Sequence, residues 1–173
     1  MSRLIWTAAA LGATGFLVAL ALTGGRGGPG LAPFTPKGLM TIPPAEVREV
    51  DLVTRERRWH FVRTEGVWRA TAGATTEGFG ARLDGALTLL RNSGPERVLS
   101  AAEIANVDPA QFGLDPPQVR VLVNGASAPS FAISIGATNV LGLSNYARTE
   151  GSREIALLPG FVAEEWERVG QAP

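Results

Sequence analysis

The chain contains no cysteine, one histidine (His60), one lysine (Lys37) and one tyrosine (Tyr146), and it carries no formal net charge. Without cysteine it has no disulfide, no thiol nucleophile and no thiolate-bound metal. A Ser-His-Asp or Cys-His arrangement has only His60 as its base, and His60 follows Arg57-Arg58-Trp59 inside a strand-like segment. A metal site needs several histidines or carboxylates that converge. The local carboxylate run, Glu164-Glu165 with Glu167, instead has the spacing of a solvated helix face. Sixteen basic residues balance 16 acidic ones, so no global field draws nucleic acid or acidic substrates. The glycines at 24–30 do not follow a strand and lack the Lys-Ser/Thr ending of a phosphate loop. No catalytic residue, cofactor or metal is expected.

Charge is also missing from one long stretch, the 20 residues from Leu4 to Thr23. As a helix they reach about 30 Å, the thickness of a bilayer's hydrocarbon core. Leu4, Ile5, Leu11, Phe16, Leu17, Val18, Leu20 and Leu22 supply about −2 to −5 kcal/mol of insertion energy. Trp6 stands where an interfacial indole sits, with Arg3 just outside. Ala19-Leu20-Ala21 has the A-x-A pattern of a signal-peptidase site, so cleavage after Ala21 is the competing reading. The apolar run, however, exceeds the roughly 7–15 residues of a signal-peptide core. Residues 1–23 are therefore read as a transmembrane anchor. Ala8, Gly12, Gly15 and Ala19 belong to small-residue pairs four apart, a spacing that admits a neighbouring helix. Arg3 and the terminal amine on one side balance Arg26 and Lys37 on the other, so charge alone does not orient the span. The short N-terminal tail favours its lying inside and the remainder outside.

Residues 24–45 read as a linker, with six glycines and five prolines between positions 24 and 44. Its ends lie about 25 Å apart as a coil and about 65 Å apart when extended. Leu31, Phe34, Leu39, Met40 and Ile42 are apolar for a free tether and point to contact with a partner or with the domain's own flank. Phe34 and Leu39 are candidate partner contacts.

From residue 46 to 173 the pattern is that of an α+β domain with a mainly antiparallel sheet. Val50 and Leu52 share a strand face. Residues 59–62 and 67–70 form a hairpin around Arg63-Thr64-Glu65-Gly66. Phe79, Leu83, Ala86, Leu87 and Leu90 recur at helical spacing, closed by Asn92-Ser93-Gly94-Pro95. Ser100-Ala-Ala-Glu103 is a capping-box pattern that should open a short helix, and Asp108-Pro109 is a second helix start with Gly113 as its stop. Strands follow at 119–123, 131–135, 145–148 and 154–158, with a hairpin turn expected at Asn124-Gly125. A terminal helix from about Phe161 to Val169 places Phe161, Val162, Trp166 and Val169 on one stripe. Arg-Thr-Glu-Gly occurs at 63–66 and again at 148–151, which turn chemistry accounts for without a duplicated unit.

Arg55, Arg57, Arg58 and Arg63, beside Trp59 and Phe61, form the local concentration of positive charge. Three readings apply to it: lipid headgroups, an acidic partner subunit, or a hairpin neutralised by Glu56 and Glu65. Arg55, Arg57, Arg58 and Trp59 are taken as candidate partner or lipid contacts. Phe112-Gly-Leu-Asp-Pro-Pro117 reads as a structural turn into the next strand.

Val50-x-Leu52, Phe61-x-Arg63, Gly66-x-Trp68, the amphipathic helix, Gly113-Leu-Asp-Pro-Pro117, Val119-x-Val121, Ile133-x-Ile135-Gly136 and Tyr146-Ala-Arg148 occur in that order. In this series the chain resembles the bacterial domain-of-unknown-function family 4340 over most of residues 46–169. The resemblance implies a single-span protein of the bacterial inner membrane, with its domain on the periplasmic side and no catalytic residues to carry over. Relatives often lie near ABC-transporter genes.

The reading that follows is a non-enzymatic, membrane-anchored accessory or structural subunit. Its partners would be membrane lipid and the other subunits of a larger electron-transfer, photosynthetic or transporter complex. The alternative is an envelope module binding a peptide, glycan or lipid, which calls for a sizeable apolar pocket. An enzyme would need a carboxylate pair, for example among Asp84, Asp108 and Asp115, which the spacing does not support. The anchor makes a direct prediction: carbonate leaves the protein in the membrane, and its intact mass includes residues 1–23. Release by carbonate, or mature protein starting near Thr23, contradicts it.

Overall fold

A computed structural model of the chain describes residues 35–72, 75–127 and 129–171, together with Phe16. The expected span, with Ala8, Gly12, Gly15 and Ala19, and the candidate contact Phe34 lie outside the described residues. Among the described residues no helix is long and apolar enough to cross a membrane.

Apolar side chains at every second residue build the sheet, and apolar side chains at helical spacing cover it. The strands are β1 Val47–Thr54, β2 Arg58–Thr64, β3 Val67–Ala70, β4 Arg97–Leu99, β5 Val119–Gly125, β6 Phe131–Thr138, β7 Ser144–Thr149 and β8 Ile155–Pro159. Helix α1, Phe79–Asn92, follows β3, and helix α2, Gly160–Gln171, follows β8. The eight strands form one sheet in the order β3-β2-β1-β5-β6-β7-β8-β4, each pairing antiparallel. The fold is α+β, as the alternation predicts.

One face of the sheet carries Val50 and Leu52 of β1, Phe61 of β2, Val119, Val121 and Val123 of β5, and Ile133 and Ile135 of β6. Phe79, Leu83, Ala86, Leu87 and Leu90 of α1 and Val162, Ala163, Trp166 and Val169 of α2 close over them. The two helices pack on each other and share this one face. Each of the larger side chains contributes about 1.5–3 kcal/mol by leaving water. The opposite face bears the polar positions of the same alternation, among them Asp51, His60, Arg120, Ser134 and Arg148.

The compact unit begins at Pro36, earlier than the linker boundary at residue 45 suggests. Met40 and Ile42 are each 1% exposed, and the backbone of this segment bonds to the end of α1 through Gly38 N–Arg91 O (2.8 Å) and Met40 N–Leu90 O (3.2 Å). Gly38 is required there, because a Cβ would stand 2.1 Å from the Leu90 carbonyl oxygen. The apolar residues of this part of the linker thus pack on the domain's own flank.

Three local expectations are corrected. Asn124-Gly125 is not the turn between β5 and β6: both residues continue β5 against Val47 and Glu49 of β1, and Asn124 donates to the Glu49 carboxylate (3.3 Å). Pairing with β1 outweighs the local turn preference. Phe161 leaves the buried stripe of α2 and is 52% exposed. Ser100–Glu103 forms its capping box, but only hydrogen-bonded turns follow, over residues 101–106. Asn106, Asp108 and Pro109 stop a helix from propagating. Arg-Thr-Glu-Gly recurs at two turns, each with its glycine at positive φ (Gly66 81°, Gly151 80°). The strand order excludes a duplicated unit in which these two turns correspond. The chain steps from β1 to β2 one way across the sheet and from β6 to β7 the other, with helices on the same face, which is a mirror relation.

In the capping box the Ser100 backbone N–H donates to Glu103 at 2.8 Å and the Ser100 hydroxyl at 2.9 Å, while Arg97 bonds the other oxygen at 2.7 Å. These bonds, the backbone one foremost, hold the Glu103 carboxyl below the usual glutamate pKa. A lowered folded pKa contributes stability above the unfolded value and loses it as pH falls through the folded one. A carbon-detected NMR titration should find Glu103 titrating below ordinary glutamates, with Ser100→Ala raising it.

Candidate functional site

Strand register places the turn between β1 and β2, the start of β5, the loop between β6 and β7 and the end of β8 at one end of the sheet. Two of the candidate arginines sit there. Arg55 and Arg57 occupy the β1–β2 turn, which Thr54 ties by accepting the Arg57 backbone N–H (3.1 Å). The Arg57 guanidinium lies 6.0 Å from the centre of the Trp59 ring. Trp59 itself is half-buried: it stacks on Phe61 at 6.2 Å, and its indole N–H donates to the Gly170 carbonyl at the end of α2 (3.0 Å). A hollow of about 280 Å³ lies between this turn, Gln118 and the last residues of α2.

The arginine cluster divides. Arg58 points to the open face with His60 and Asp51, whose side chains bond at 2.7 Å. The Arg63 side chain is only 8% exposed and belongs to the architecture: it pairs with Asp84 of α1, donates to the Pro44 carbonyl (2.9 Å) and lies 4.3 Å over the Trp68 ring. The Trp68 indole N–H also donates to Asp84, at 3.0 Å. Leu39 is half-buried against the core, so much of its surface is already covered.

At the same end lies a feature the sequence reading missed. Val140, Leu141 and Leu143, at the tip of the β6–β7 loop, are 98%, 73% and 67% exposed. The loop is tightly tied: the Asn139 side chain accepts from the Leu143 and Ser144 backbone N–H groups (3.1 and 3.3 Å), Asn139 N donates to Ser144 O (2.7 Å), and Gly142 takes φ 74°. Gly160 N donates to Leu143 O (2.8 Å), which brings the exposed Phe161 beside the tip. Three large apolar side chains on this tied loop and Phe161 of α2 thus stand at one corner. The signal in the sequence is three aliphatic residues among the four between Asn139 and Ser144, in a turn where polar residues are the rule.

The Phe112–Pro117 turn is structural. Phe112 packs edge-on against Tyr146 (4.9 Å), Gly113 takes φ 64°, and Gly136 has no room for a Cβ, which would stand 2.3 Å from the Phe112 carbonyl oxygen. Asp84 and Asp108 are each engaged locally, Asp84 with Arg63 and Trp68, Asp108 with the Ala110 backbone N–H (3.0 Å). Among the described residues no group of three His, Asp or Glu side chains converges as metal ligands. No protein-family model, curated protein or solved structure matches the chain.

Arg63 supports a stability prediction. Asp84→Ala strands a buried guanidinium and the Trp68 N–H and should cost about 2–4 kcal/mol. Arg63→Met removes the buried charge and leaves Asp84, which is 46% exposed and still accepts from Trp68, so it should cost less. Urea unfolding of the two variants compares them directly.

Proposed function

We propose that the chain is a non-enzymatic, membrane-anchored accessory or structural subunit of a larger bacterial inner-membrane complex. Its periplasmic α+β domain docks on partner subunits, and the host is an electron-transfer, photosynthetic or transporter assembly. The apolar stretch at 4–23 supports the location. The observation that carries the docking is the corner formed by Val140, Leu141, Leu143 and Phe161. Soluble surfaces rarely group large apolar side chains without covering them in an assembly or a membrane. Here the loop backbone is fixed in advance, which lowers the entropic cost of binding.

The alternative envelope binding module calls for an apolar pocket. The hollows among the described residues are lined largely by charged and polar side chains, such as Arg55, Glu56, Arg57 and Glu167 at the end of the sheet. That composition favours docking through the corner over capture of an apolar ligand.

Mild detergent extraction from the native membrane followed by native mass measurement tests the reading. The wild-type chain should appear in a complex. Val140→Ser with Leu141→Ser and Leu143→Ser should shift it to the lone monomer without lowering the unfolding midpoint, because none of the three side chains is in the core. A wild-type monomer at native expression overturns the proposal.

A further inference from the structure

The open face of the sheet holds an in-register row of side chains that the docking corner does not use. Arg58 of β2 lies opposite Val53 of β1, and Val53 opposite Arg120 of β5. Arg120 in turn lies opposite Ser134 of β6, and Ser134 opposite Arg148 of β7. Three arginines therefore stand on alternate strands of one row, separated by the smaller Val53 and Ser134. Strands about 4.8 Å apart put Arg120 and Arg148 about 10 Å apart at the backbone, with a hydroxyl between them. Their long side chains can converge on one group above Ser134.

A groove of about 360 Å³ occupies this place, lined by Arg120, Ser134 and Arg148, by Thr149 and Ser152 at its rim, and by Leu114 on its wall. Leu114 is buried and bridged to Pro117, so the wall is fixed. Arg120 has a single anionic partner, the exposed Glu150, at 3.3 Å. Arg148 is half-buried, and among the described residues its guanidinium makes no hydrogen bond or ion pair. Arg63, whose side chain is well buried in this sheet, is by contrast paired and hydrogen-bonded. No nitrogen of the Arg148 guanidinium is fully buried, so the group stays hydrated and can exchange that water for an anion in the groove.

We propose that the Arg120–Ser134–Arg148 groove binds a phosphate group. Two guanidinium forks and a hydroxyl approach it from separate directions. That arrangement suits a tetrahedral oxyanion with several free oxygens better than a planar carboxylate, which one fork satisfies. Glu150 occupies Arg120 when the groove is empty and gives way when the anion enters. The phosphate can belong to a soluble monoester or to a lipid headgroup, since both present the same oxygens.

The test uses the full chain in an uncharged detergent at constant ionic strength, titrated with inorganic phosphate and with glycerol 3-phosphate by calorimetry. Mixed micelles containing phosphatidic acid or phosphatidylcholine form the second arm. Saturable binding is expected. Arg148→Gln should weaken it at least tenfold, and Glu150→Gln should tighten it by freeing Arg120, while Arg69→Gln on the exposed edge strand leaves it unchanged. Saturation by the soluble phosphates assigns a soluble ligand, and saturation only by phosphatidic acid assigns a headgroup. Equal unfolding midpoints for the variants establish that each is folded. Absence of saturation by every probe, or binding that Arg148→Gln leaves intact, overturns the proposal.

Discussion

An eight-stranded sheet covered by helices on one side only has to reconcile its other side with water. Antiparallel sheets can do this because their side chains alternate strictly, so each strand delivers apolar residues to the helices and polar ones to solvent. In this chain the constraint is visible strand by strand: Val50 and Leu52 face the core while Asp51 faces out, and Val119, Val121 and Val123 face the core while Arg120 faces out. The arginine row is a consequence of that alternation combined with register. A one-residue slip of β5 against β1 would turn Arg120 into the core and Val121 into solvent. The hydrophobic packing that holds the register therefore also holds the row.

The same sheet is anchored at its free edge by a buried charge. Arg63 joins four separate pieces of chain: its own strand β2, Trp68 of β3, Asp84 of α1 and the Pro44 carbonyl that precedes β1. Strand β3 is short and lies at the edge of the sheet, where it has one neighbouring strand. Apolar contact alone would leave its position loosely defined. A guanidinium with directional partners on helix, strand and incoming segment fixes the angle between them. Such a group gives little net stability and a large penalty when a partner is lost, so its contribution is geometric more than energetic.

Most of the elements were legible in the residues because their periodicity is strong. Helix α1 matches the spacing of Phe79, Leu83, Ala86, Leu87 and Leu90, and the strands match the alternation from Val119 and from Phe131. What escaped the sequence depended on non-local pairing. Asn124-Gly125 carries the turn signal, yet β1 arrives from more than 70 residues away and keeps both residues in a strand. Arg63 reads as a member of a surface cluster, because nothing local reveals that Asp84 will be delivered to it. Arg120 and Arg148 read as ordinary outward positions, and their adjacency exists only once β6 lies between them. The aliphatic tip at 140–143 was the local exception. It was readable as a turn of the wrong chemistry.

The corner and the groove present different directions to the surroundings, and this separates what they can do. The tip of the β6–β7 loop lies at the end of the sheet that also carries Arg55 and Arg57. The arginine row looks out perpendicular to the sheet plane. A partner seated on the corner meets aliphatic side chains on a fixed loop, where contact is energetically sound because nothing charged has to be desolvated. The open face meets its ligands through guanidinium groups that keep water until an anion replaces it. Occupation of one therefore need not obstruct the other. A domain of this size can be held to an assembly through its end while its face stays available to solutes or to lipid headgroups.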